Sequence, residues 1–100
     1  MAKKKIKTYP YDTAKHLDDE AKIEAYMDEA FKINDPAFIA DALGVVARAC
    51  GMSKVAKKAG LSRESLYKAL SRKGNPEFAT ILNVLEALGL RLLVTTVEAD

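Results

Sequence analysis

Apolar residues recur at helical spacing along most of the chain. Ile23, Tyr26, Met27, Ala30 and Phe31 fall at i, i+3, i+4, i+7 and i+8, one stripe of a helix. Asp18 stands where an N-cap is needed, and Asp19 and Glu20 in the first turn oppose the helix dipole favourably. The stretch "NDPAF" then restarts the chain, with Asp35 as cap and Pro36 at the first helical position. Phe38, Ile39, Ala42, Leu43, Val46 and Ala49 form the second stripe, and Gly51 follows Cys50 as its stop. "GNPEF" repeats the device: Asn75 caps, Pro76 begins a helix, and Phe78, Ile81, Leu82, Leu85 and Leu88 form its stripe up to Gly89.

Between these helices, "MSKVAKKAGLSRESLYKALS" breaks into two short ones. Ser53 caps the first, which runs to Ala59. Gly60 supplies the turn, Leu61 plugs it, and Ser62 caps a second helix of about Arg63 to Leu70. Ala56 is small where the second helix crosses over it, and Val55, Leu61, Leu66 and Ala69 attach the pair to the rest of the domain. This is the pattern of a helix-turn-helix. After Gly89 the pattern changes. "LRLLVTTV" is rich in Leu, Val and Thr with no helical period, and predicts a strand from about Leu90 to Val97. A lone strand in a helical chain needs a partner for its edges, and the same strand of a second copy is the economical one.

Composition sharpens this picture in two ways. One hundred residues make one domain, and the longest apolar runs fall well short of the roughly 20 residues that span a bilayer. The lysine-bearing start "MAKKKIKTYPYD" has no apolar stretch behind it and is not a secretory signal. The single Cys50 rules out an internal disulfide and suits a reducing compartment, so a cytoplasmic location is expected. Net charge is only +2, but it is unevenly divided. Residues 17–35 hold seven acids against two lysines, net −5, whereas residues 51–75 hold seven cations against Glu64 alone, net +6. The basic segment coincides with the two short helices and suits a polyanion.

The small and apolar positions of that segment build the crossing, and the remaining side chains are left to face DNA. Arg63, Glu64, Ser65, Tyr67 and Lys68 belong to the second helix, whose first turn enters the major groove deepest in such motifs. Ser53, Lys54, Lys57, Ser62, Arg72, Lys73 and Asn75 flank it as candidate phosphate and base contacts. Candidate catalytic chemistry is thin. Acids in a first turn serve as caps, Cys50 has no neighbouring Cys or His, and Tyr67 lacks the Arg and His a recombinase nucleophile requires. No enzyme activity, metal or cofactor is expected.

The five-helix plan with the motif at its centre resembles the lambda-repressor and Cro-like (Xre) helix-turn-helix domains. The run "ALGVVARACGMSKVAKKAGLSRESLYKALSRKGNPEFATILNVLEALGLRLLV" is closer still to the probable addiction-module antidote proteins, HigA-type antitoxins of type II toxin–antitoxin systems. The resemblance extends from about Tyr11 to Val97, and its most specific pieces are "ALG", "GLSRESLYKAL", "GNPEF" and "ALGLRL", in that order. It implies autoregulatory binding to double-stranded operator DNA and a partner toxin of the RelE/HigB ribonuclease type. A stand-alone prophage-type repressor is the alternative.

The expectation is therefore an all-α, five-helix, lambda-repressor-like domain over residues 17–100, preceded by a basic arm at 1–16. A C-terminal strand joins two copies into a homodimer.

Overall fold

The computed structural model describes residues 19–98, and the expected basic arm lies outside them. Five helices follow one another: α1 (Glu20–Ile33), α2 (Pro36–Cys50), α3 (Met52–Ala59), α4 (Arg63–Ala69) and α5 (Phe78–Ala87). Helix is the one regular element among the described residues.

Each helix buries the face its sequence marks as apolar. α1 contributes Ile23, Met27 and Ala30, and α2 contributes Ala42, Leu43, Val46 and Ala47. α3 is the hub. It packs against α2, α4 and α5 through Met52, Val55, Ala56 and Ala59, while α1 lies against α2. Leu66 and Leu70 bring in α4 and its C-terminal end, and Val84 and Leu85 bring in α5. No buried residue is polar or charged among those described, so apolar burial alone closes the core.

Helix ends follow local chemistry, and several differ from the sequence expectation. Asp19, not Asp18, caps α1: its carboxylate accepts the Lys22 amide at 2.8 Å, the three-residue reach an N-cap uses. Asp35 caps α2 as expected, accepting from the Phe38 amide at 3.1 Å, with Pro36 in the first turn. Ser53 does not cap α3. That helix begins at Met52 with Gly51 as N-cap, the Gly51 carbonyl receiving the Val55 amide at 3.0 Å. Burial of Met52 explains the shift, because starting one residue earlier turns its side chain into the core. Asn75 and Pro76 do not start α5 either. The helix begins at Phe78 after Glu77, without a side-chain cap. The chain before Asn75 is still closing α4: the Gly74 amide bonds the Ser71 carbonyl at 2.9 Å, and Gly74 lies close against the carbonyls of Lys68 and Ala69.

Two glycines fix how the short helices sit. Gly60 is left-handed at φ 77°, a conformation that costs glycine little, and it ends α3. The Gly60 amide bonds Lys57, and the Leu61 amide reaches back to the Ala56 carbonyl at 2.9 Å, a Schellman closure. Gly44 acts by absence. A Cβ there would stand 2.5 Å from the Leu70 carbonyl oxygen, so the end of α4 rests directly on the backbone of α2.

The expected strand at Leu90 to Val97 does not form among the described residues. Gly89 turns the chain at φ 80°, and the Leu90 amide bonds the Leu85 carbonyl at 2.8 Å. Residues 91–98 then form no regular element. Leu90 and Leu92 pack against the core, whereas Leu93, Val94 and Val97 are exposed. A strand requires a ladder partner, and a single copy of this chain offers none among the described residues. No helix among the described residues is long and apolar enough to cross a membrane.

Candidate nucleic-acid interface

α4 has seven residues, too few to be stable alone in water. Leu66, fully buried, fastens its middle to the core, and the N-terminal end is held by its cap. The Ser62 hydroxyl accepts the Ser65 amide at 3.0 Å and donates to the Ser65 hydroxyl at 2.9 Å. Ser62→Ala therefore removes both bonds. It is expected to lower stability by about 1 kcal/mol, read as a lower urea midpoint at unchanged denaturant slope.

With Leu66 turned inward, Arg63, Glu64, Ser65, Tyr67 and Lys68 are all left exposed. They are not independent. The Arg63 guanidinium lies 5.7 Å from the Tyr67 ring centroid, one helical turn away, a cation–π arrangement that orders both side chains. Glu64, Tyr67 and Lys68 border one shallow concavity. A neighbouring one of about 540 Å³ is lined by Ser65, Lys68, Lys73 and Asn75 together with Ser71 and Gly74. The structure thus brings four expected residues from two segments around one depression beside α4.

The other expected residues divide. Ser53, Lys54 and Lys57 are exposed on α3, beside Lys58, and that helix carries no acid. Lys54, Lys57, Lys58, Lys68 and Lys73 form no ion pair among the described residues, so their charge is available to an outside anion. Arg72 is differently placed. Its Nε lies 3.9 Å from Asp41 Oδ2, and its guanidinium stands 5.9 Å from the Phe38 ring centroid, so it ties the loop after α4 to α2. Sequence reasoning overlooked Ser71, whose hydroxyl donates to the Lys68 carbonyl at 3.1 Å and closes the end of α4. A serine just beyond a helix gives only a weak signal for that role.

An all-helical unit with two short helices crossing at a three-residue turn, most of its unpaired cations gathered on those helices and the loop after them, has the layout of a small binding module. The chain belongs to the probable addiction module antidote protein family, whose model matches residues 7–96. A Haemophilus influenzae protein described only as uncharacterized is 48% identical over 84 residues, covering 84% of this chain and 87% of that one. No solved structure matches. An antidote of an addiction module counteracts a toxin, so membership gives this chain an antitoxin's role and a toxin of some kind as partner.

Proposed function

We propose that the chain is a HigA-type antitoxin that binds its own operator through α3 and α4 as a lambda-repressor-like helix-turn-helix. In this reading it represses its own operon and neutralises a ribonuclease toxin of the RelE/HigB type. Family membership supports the antitoxin half. The DNA-binding half is carried by α4: one buried leucine holds it while Arg63, Ser65, Tyr67 and Lys68 face outward among unpaired lysines.

The chemistry follows from that arrangement. Arg63, held against Tyr67, presents its planar fork to the O6 and N7 acceptors of a guanine in the major groove. Tyr67 and Lys68 reach neighbouring bases or phosphates. Lys54, Lys57 and Lys73 neutralise backbone phosphates on either side, which sets affinity but carries little sequence information. Arg72, exposed although it lies 3.9 Å from Asp41, joins them as a further phosphate contact. Leu93, Val94 and Val97, exposed in one copy, are covered when Leu90 to Val97 pairs with its counterpart in a homodimer.

Two variants separate these roles. Arg63→Ala is expected to cost about 1–3 kcal/mol of operator binding and to relax preference at one base pair. Lys73→Gln is expected to weaken operator and random DNA alike and to lower the salt slope by about 1. Titrations of both duplexes across a salt series read both effects. Unchanged discrimination in Arg63→Ala would remove it as the base reader.

A further inference from the structure

The C-terminal segment has a concavity on each flank. On one side Leu82 and Glu86 of α5 border it. On the other, a groove of about 410 Å³ separates it from α1. Met27, Phe31, Leu85 and Leu90 give this second groove an apolar floor, Glu24 and Asp28 stand on its α1 wall, and Arg91 is the one cation on the opposite wall. The main chain of residues 91–98 makes no hydrogen bond with any described residue, so its donors and acceptors stand open along the groove.

Charge decides between the two flanks. The described residues 19–35 hold six acids against two lysines, net −4, and an interface between identical copies about a two-fold axis sets such a surface against itself. The α1 flank is therefore the wrong one for a second copy, and the α5 flank, with Phe78 and Leu82 exposed, is the right one. On α1, Asp28 and Glu29 already share Lys32, at 3.2 and 3.6 Å. The hydrogen bond to Asp28, then the charges of both acids, hold the Lys32 ammonium above the ordinary lysine range. Glu24 makes no ion pair among the described residues. The groove thus offers one uncommitted carboxylate, an apolar floor and an open backbone edge.

We propose that the groove between α1 and residues 90–95 is the toxin-docking site, and that it takes an extended toxin segment alternating cationic and apolar side chains. This rests on the antitoxin reading above. A ribonuclease holds RNA with cations, so its surface is complementary to α1. A strand added along residues 91–95 supplies main-chain hydrogen bonds, an apolar side chain fills the floor beside Phe31, and a Lys or Arg meets Glu24. Because DNA is read from α3 and α4, toxin and operator occupy different faces.

The probe is the protein encoded by the reading frame adjacent to this chain's own gene, co-expressed with the full-length chain and purified as the complex. Glu24 and Ala25 both border the groove and are exposed, so Glu24→Lys and Ala25→Arg leave the core untouched. Glu24→Lys is expected to slow association at least about 10-fold at low salt, with the difference vanishing at high salt. Adding Ala25→Arg is expected to lower affinity about 100-fold while operator binding and dimer mass stay unchanged. Wild-type association by the double variant overturns the docking site and leaves the antitoxin reading standing. A wild-type chain that captures nothing from the adjacent gene's product overturns both. Conversion of the double variant to monomer assigns the groove to a second copy and overturns the proposal.

Discussion

Leu66→Ala is expected to lower the unfolding free energy by about 2–5 kcal/mol, whereas Tyr67→Ala, one residue along, should stay within about 0.5 kcal/mol of wild type. Leu66 is fully buried and is the one buried residue of α4, whose seven residues cannot hold a helix unaided. Truncation leaves a void that packed neighbours fill only in part. In a domain of ordinary stability, about 5–15 kcal/mol, that loss is a large fraction of the whole. If α4 reads DNA as proposed, both changes weaken operator binding, but by different routes. Tyr67→Ala is expected to do so in a fully folded protein, and Leu66→Ala through the unfolded fraction and a loosened α4. Urea denaturation beside operator titration separates the two. A wild-type midpoint for Leu66→Ala would mean that α4 is anchored elsewhere.

Leu93→Pro is expected to convert a dimer into monomers and to cut operator affinity by about 10²–10⁴-fold, the avidity lost when two linked half-site contacts become one. Leu93 is 80% exposed, so the change spares the core of each copy. Proline lacks the amide a strand needs and is tolerated only at an edge position facing away from its partner. If Leu90 to Val97 pairs across a two-fold axis, the operator is palindromic, with half-sites about one helical turn apart. Light scattering gives the mass and titration gives the affinity. A dimer of undiminished affinity would move the interface to α5, where Phe78 is also exposed.

Elements whose determinants are local were legible in the sequence. The stripe from Ile23 to Phe31 and the Asp35–Pro36 start are written within a few residues of where they act, and so are the Gly60 turn and the Ser62 cap. "NDPAF" and "GNPEF" look alike yet behave differently, because a cap depends on what precedes it. Asp35 follows Asn34, a finished helix end at φ 61°, whereas Asn75 follows Gly74, still bonded into the end of α4. Ser53 misled for a related reason: the burial of Met52 fixes the start of α3, and burial is a tertiary fact. The contacts of Arg72 with Asp41 and Phe38 were not legible either, because both come from a helix some thirty residues away in sequence. The strand expected at Leu90 to Val97 does not form among the described residues: its composition suits a strand, but a ladder needs a partner that composition does not supply.

The contact between Gly44 and the Leu70 carbonyl bears on how new operator specificities arise. Backbone against backbone at one end, a single leucine at the middle and the Ser62 cap at the start locate α4, so its position depends little on the identities at 63, 64, 67 and 68. Glu64 and Lys68 are the freest of these, while Arg63 and Tyr67 vary as a stacked pair and Ser65 also serves the cap. If α4 reads DNA as proposed, paralogues in one cell can diverge there, each acquiring its own operator and escaping cross-repression, without relearning how to fold.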